Sequence, residues 1–182
     1  MTDAAAARTA APVVPARPAP LWRRPEAWVT LLLVVLDQLT KLLVLQRIQL
    51  HETVPVIPGL LNLTYVRNTG AAFGMLNAHD FAYKPLVVTV LALGALLGIL
   101  WYARAFAGES WAARYGMVLI VAGACGNLID RVTLGYVVDF VDFYIGTWHF
   151  WAFNVADAAI TVGAILFAAD SLLPRRHVPE AV

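Results

Sequence analysis

Trp28-Val29-Thr30-Leu31-Leu32-Leu33-Val34-Val35-Leu36-Asp37-Gln38-Leu39-Thr40-Lys41-Leu42-Leu43-Val44-Leu45-Gln46 decides the class of this chain. An apolar run of this length, at a rise of about 1.5 Å per residue, is long enough for a helix to cross the hydrocarbon core of a bilayer. Twelve of residues 28–45 are Leu or Val, each favouring insertion by about 0.3–0.6 kcal/mol. Asp37 and Lys41 each oppose it by up to about 2.5–3.5 kcal/mol near the helix centre. The two contributions nearly cancel, so the helix inserts despite its charges and would insert better without them. Ionisable groups at that depth point to a function. A simple i,i+4 ion pair within the helix, or a lysine snorkelling to the interface, are the structural alternatives.

Three further apolar spans follow, at about 85–103, 115–133 and 154–173. Composition agrees with a membrane solvent: 60% of the 182 residues are hydrophobic and 14% charged, against roughly 45–50% and 25% in soluble domains. The first span is too long for a cleaved signal peptide, carries charges, and has no small-residue cleavage site after it. Residues 1–24, rich in Ala, Pro and Arg, read as a disordered tail. Residues 25–174 read as one membrane domain and 175–182 as a short C-terminal tail. The net charge of +1 gives no reason to expect a nucleic-acid partner.

Lysine and arginine set the orientation. Arg8, Arg17, Arg23, Arg24, Arg104, Arg114, Arg175 and Arg176 fall on one side, and Arg47, Arg67 and Lys84 on the other. The positive-inside rule then makes both termini cytoplasmic, with 47–84 and 134–153 facing outward. In the first outer segment Leu61, Leu63 and Tyr65 alternate with Asn62 and Thr64, the period of a strand. Gly94 and Gly98 form a GxxxG in the second span, expected to mark helix packing within the monomer.

Polar residues collect at the outer ends of the last two spans. Gly126-Asn127-Leu128-Ile129-Asp130-Arg131 closes the third, and Asn127, Asp130 and Arg131 share one side of a helix. Gly123, Ala124 and Gly126 permit close approach of a neighbouring helix. Asp139 and Asp142 lie in the apolar, β-prone stretch that follows. Asn154 is placed to cap the fourth span with Asp157 at its third position, a capping arrangement favoured by the helix dipole. Topology adds a second reading, because it brings Asp139 and Asp157 to the same outer boundary. Two carboxylates facing each other at low dielectric do not both ionise, and such a pair can activate water for amide hydrolysis.

Other chemistries fit less well. Ser110 and Ser171 lie on the opposite side from any base, Cys125 is mid-helix, and the histidines fall in loops or the tail. There is no His-Glu-x-x-His and no Cys/His cluster, so neither a metal nor a cofactor is expected. A proton-coupled carrier using Asp37, Asp130 and Asp157, and a non-enzymatic scaffold whose acids are caps and ion pairs, remain open at this point.

Taken in order, these motifs resemble the lipoprotein signal peptidases (signal peptidase II) over about residues 28–173. The carriers are Asp37-Gln38-Leu39-Thr40-Lys41, Asn68-Thr69-Gly70-Ala71-Ala72-Phe73, Gly126–Arg131 with Gly135 and Val138-Asp139-Phe140, and Phe153-Asn154-Val155-Ala156-Asp157. The resemblance implies an all-α membrane fold of four transmembrane helices with a small β-platform and a short helix on the periplasmic face. It implies an aspartic endopeptidase of the bacterial inner (plasma) membrane with its active site on the periplasmic side, and the chain is expected to act as a monomer. The implied substrate is a diacylglyceryl-modified prolipoprotein, cut on the N-terminal side of the lipidated cysteine. The implied catalytic pair is Asp139 and Asp157, with Asp139 chosen over Asp142 by its spacing from Gly135. Asn68, Gly70, Asn127, Arg131, Asn154 and Ala156 are implied as substrate-binding or supporting, and Asp37, Lys41 and Asp130 as holding the polar interior. Trp151 stands where the family often has Pro, and Ala158 where it commonly has Ser.

Overall fold

The computed structural model describes residues 23–70, 81–103 and 110–172. Four long helices account for most of it: α1 (Pro25–Arg47), α2 (Lys84–Ala103), α3 (Trp111–Thr133) and α4 (Val155–Leu172). All four are long and apolar enough to cross a membrane. Pro25 occupies the first turn of α1, where its missing N–H and fixed φ suit a helix start. Helix α3 begins four residues before the expected span, because the Ser110 side chain accepts from the Ala113 N–H at 3.2 Å and caps it there. Both expected tails fall almost wholly outside the described residues.

The packing is inverted relative to a soluble bundle. The buried residues of α1 are Asp37, Lys41 and Val44, while Leu32, Leu39 and Leu43 are more than half exposed. Leucines left outside and charges taken inside are what a hydrocarbon solvent selects.

Glycines set the closest helix contact, between α3 and α4. A methyl group at Gly123 would lie 2.3 Å from the Ala156 carbonyl oxygen, and one at Gly163 would lie 2.5 Å from that of Gly116. Gly126 is equally constrained, since its Cβ would meet Asp37 Oδ2 at 2.6 Å. The GxxxG of α2 behaves differently from expectation. Nothing lies within 4 Å of a Cβ at Gly94 or Gly98. α2 buries Val88 and Leu96, one helical face apart from those glycines, so its GxxxG is no packing seam within the described chain.

At one end of the bundle sits a four-stranded antiparallel sheet in the order β1 (Thr53–Ile57), β2 (Leu61–Asn68), β3 (Val137–Ile145), β4 (Trp148–His149). Strand β2 covers the alternating segment, and Asn62 and Thr64 turn inward. Asn62 donates to Asp142 at 2.9 Å and Thr64 to the Glu52 carbonyl at 3.0 Å, which satisfies both. No additional helix occurs among the described residues of this end. Tyr65, Val138 and Phe140 pack with Val44 and bind the sheet to α1. The chain leaves α3 through Leu134 and Gly135, whose φ of +81° ends the helix in the left-handed region that favours glycine. That turn sends β3 back across the bundle, and the register Val66↔Asp139 and Asn68↔Val137 sets Asp139 beside the end of β2.

Candidate active site

Two connected polar layers lie where the sheet meets the helices. The deeper one joins α1 to α3. Lys41 Nζ contacts Asp37 at 2.8 Å and Asp130 at 2.9 Å, with all three side chains nearly inaccessible. The i,i+4 pair read from the sequence therefore exists, extended by an acid from α3. Backbone donors reach both acids as well: the second oxygen of Asp37 accepts from the Ala156 N–H at 2.9 Å, and the oxygen of Asp130 that meets Lys41 also accepts from the Val138 N–H at 3.1 Å. Gln38 was given no role at the sequence level. It donates to Asp130 at 2.9 Å and reaches Asp37 and the Gly126 carbonyl at 3.2 Å each. Buried charges persist only when paired and hydrogen-bonded this fully. The two acids each fix a backbone N–H of the layer above, one at the start of α4 and one on β3.

The upper layer holds Asp139 and Asp157 around three amides. Asn154 Nδ2 donates to Asp139 Oδ1 at 2.7 Å, and the Asn154 backbone N–H donates to Asp157 Oδ2 at 3.2 Å. In return the Asp157 N–H donates to Asn154 Oδ1 at 2.9 Å, so the pair forms a reciprocal cap at the start of α4. Asn127 accepts from Lys41 at 2.9 Å and donates to Asp157 Oδ1 at 2.7 Å, which couples the two layers. Asn68 donates to the other oxygen of Asp139 at 3.0 Å, while its own oxygen accepts from the Gly70 N–H. Arg131 ties the Asn127 and Gly70 carbonyls together through its Nη atoms, and its buried Nε finds no acceptor among the described residues.

Both carboxylates line one cavity of about 420 Å³ with Asn68, Asn127 and Arg131. Burial, then the charge of Asp157, pushes the Asp139 carboxyl up to about 7, against the lowering effect of its bonds from Asn68 and Asn154. A carboxyl held there exchanges a proton near neutrality.

Asp142 is elsewhere. It is bound by Asn62 and by His149, whose Nδ1 is 2.8 Å from it, and it does not line the cavity. His149 stacks on Tyr144, so this histidine belongs to a sheet contact. Ala71, Ala72 and Phe73 lie outside the described residues. All the singled-out site residues are otherwise in the two layers. Reading motifs alone missed Gln38 and the aromatic wall Phe150-Trp151-Ala152-Phe153 on the cavity. Gln38 sits inside a quoted motif. The wall has no local signal beyond its aromatic run. No group of His, Cys, Asp and Glu fit to hold a metal ion occurs among the described residues.

Comparison with known proteins bears on the same segments. A family model described as signal peptidase (SPase) II matches residues 29–173. A lipoprotein signal peptidase of Geobacter metallireducens is 45% identical over 149 residues, covering 82% of this chain and 91% of that protein. The one from Desulforapulum autotrophicum is 44% identical over 139 residues, covering 76% and 86%. A solved bacterial membrane enzyme, determined by the in meso method at 2.3 Å, superposes with a TM-score of 0.70 at 32% identity, covering 81% of this chain and 87% of its own. A second, at 1.9 Å, gives 0.71 at 28%, covering 83% and 94%.

Proposed function

This chain belongs to the signal peptidase II family, and on that premise we propose that Asp139 and Asp157 are its catalytic pair. It is a membrane aspartic peptidase that removes signal peptides from prolipoproteins. The observation that supports the pair is the single residue Asn154, which bonds Asp139 through its side chain and Asp157 through its backbone above one cavity.

With Asp139 pushed up to about 7, a carboxyl proton is available to the pair around neutral pH. The ionised oxygen takes a proton from water, which attacks the scissile carbonyl. The protonated carboxyl hydrogen-bonds the developing oxyanion and passes its proton to it. A tetrahedral gem-diol forms, and a carboxyl group then gives its proton to the leaving amine as the C–N bond breaks. The amides of Asn68, Asn127 and Asn154 hold the acids in place without supplying protons.

The substrate carries a diacylglyceryl group on its cysteine. Its acyl chains lie beside the helices and set the scissile bond at the membrane boundary, just before that cysteine. The excess of arginine in residues 1–24, in the 104–114 connection and after residue 174 supports cytoplasmic termini and a cavity on the outer side. The protein acts as a monomer, with 25–174 as the working domain.

The test compares a lipidated with an unlipidated lipobox peptide, using purified wild type and three variants. Cleavage of the lipidated peptide alone is expected, with loss in Asp139→Asn and in Asp157→Asn and retention in Asp142→Asn. Wild-type cleavage by either of the first two variants would remove the dyad. A flux driven by a pH gradient in liposomes, with no cleavage, would favour a carrier.

A further inference from the structure

The aromatic wall of the cavity is anchored at its two ends and free in the middle. The Phe150 N–H donates to the Phe143 carbonyl at 2.8 Å, and the Phe153 N–H to that of Val141 at 3.1 Å. The Phe153 carbonyl accepts from both Phe140 and Val141. The two phenyl rings also meet edge to face at 6.0 Å. Between these anchors Trp151 and Ala152 cross the cavity. Trp151 is 62% exposed. It makes no ring contact or hydrogen bond with any described residue, so its indole N–H is an unused donor.

The cavity is polar at one end and apolar at the other. Asp139 and Asp157 lie at its polar end, and Ile160, Thr161 and Val162 extend it along α4. From Val155 to Val162 the helix advances about 10 Å, from the interface into hydrocarbon. Ala158, Thr161 and Val162 are exposed on that face, so the cavity opens sideways to lipid. Trp151 lines the same cavity as the two acids and as the α4 residues that open to lipid. An indole, apolar in body with one N–H donor, suits that level of a bilayer.

We propose that Trp151 reads the lipid of the substrate, its ring packing on the glyceryl group and first methylenes while its N–H donates to an ester carbonyl. The inference rests on the diacylglyceryl substrate proposed above. It makes Trp151 a specificity residue that touches the lipid and leaves bond cleavage to the acids. Trp151 is outside the two polar layers that hold the acids, so the position tunes substrate affinity without being required for hydrolysis.

Steady-state kinetics of the purified full chain test this with lipobox peptides whose cysteine carries either a diacylglyceryl or an ether-linked dialkylglyceryl group. Trp151→Ala is expected to raise KM for the diacyl peptide about tenfold, as expected for losing part of a buried indole and a hydrogen bond, with kcat within twofold of wild type. Trp151→Phe is expected to fall between the two on the diacyl peptide and to match wild type on the dialkyl peptide, which has no carbonyl. An unchanged KM in Trp151→Ala, or a fall in kcat alone, overturns the proposal. Trp151→Phe indistinguishable from wild type on the diacyl peptide overturns the role of the N–H. Failure of the wild type itself to cleave the diacyl peptide would count against the substrate reading instead.

Discussion

Replacing the catalytic candidate Asp139 by Asn is expected to stabilise the protein in alkaline buffer and to do so less as the pH falls. The folded chain holds this carboxyl at about 7, against 3.8 for an unperturbed aspartate. A raised carboxylate pKa means that the folded state binds the proton more tightly than the unfolded one. That contribution is complete below about pH 4 and is lost as pH rises through 7. Integrated from pH 5 to pH 8, the wild type loses about 2–3 kcal/mol from this group. On the scale of soluble domains of this size, that is about 5–10 °C in Tm. Asn carries no proton equilibrium, so the variant lacks the loss. It keeps one acceptor for the amides of Asn154 and Asn68 and turns an NH₂ toward the other. The resulting cost of about 1 kcal/mol is the same at every pH. The informative quantity is therefore the change in the variant's Tm offset between pH 5 and pH 8, followed by tryptophan fluorescence in detergent. An offset that does not grow in the variant's favour with pH would refute the raised pKa and the shared proton with it.

Activity should carry the same signature: kcat/KM falls on the alkaline side as the pair loses its proton, with a limb starting near pH 7, measured across overlapping buffers. Gly123→Ala drives a methyl to 2.3 Å from a backbone oxygen of α4 and should cost at least about 3 kcal/mol, whereas Gly94→Ala meets nothing and should be neutral or stabilising by up to about 1 kcal/mol. Paired melting curves compare them. Lys41→Met leaves Asp37 and Asp130 buried with no cation between them and should cost about 3–5 kcal/mol, seen as loss of the folded monodisperse peak on size exclusion.

Much of this was legible before any coordinates, for specific reasons. A membrane span announces itself by length, and the charges of Asp37 and Lys41 were conspicuous because lipid makes them costly. Asn154 and Asp157 were recognisable as a cap because the spacing of a capping box is local. The choice of Asp139 over Asp142 rested on the family resemblance, through the spacing from Gly135, and not on anything in the two residues themselves. Both stand in Asp-Phe pairs on one strand, and only the turn at Gly135 and the pairing with β2 separate the one over the cavity from the one bound to His149. The two glycine patterns were also indistinguishable from sequence. Gly94 and Gly98 look like a packing motif and face open space, while Gly116, Gly123 and Gly163 lack that exact spacing yet carry the tightest contact. Which face of a helix meets a neighbour depends on the whole bundle, and periodicity along a uniformly apolar span carries no information about it.

The cap and the chemistry at Asn154 are not rival readings, and one substitution separates them. Its oxygen serves α4 by accepting from Asp157 N–H, while its Nδ2 serves the site by donating to Asp139 at 2.7 Å, with the Asn127 oxygen and the Val138 carbonyl at 3.2 and 3.3 Å. Serine caps helices about as well as asparagine, but its hydroxyl is too short and too poor in donors to do the second task. Asn154→Ser should therefore keep α4 and lose no more than about 1 kcal/mol at the cap. Asp139 would lose its shortest hydrogen bond and Asn127 a donor, so the carboxyl turns away from its partner and cleavage falls by at least about a hundredfold, the usual scale for losing the orientation of a catalytic group. Helicity and Tm near wild type together with collapsed kcat would assign Asn154 to the geometry of the pair. Equal losses in both would return it to the role of a cap alone.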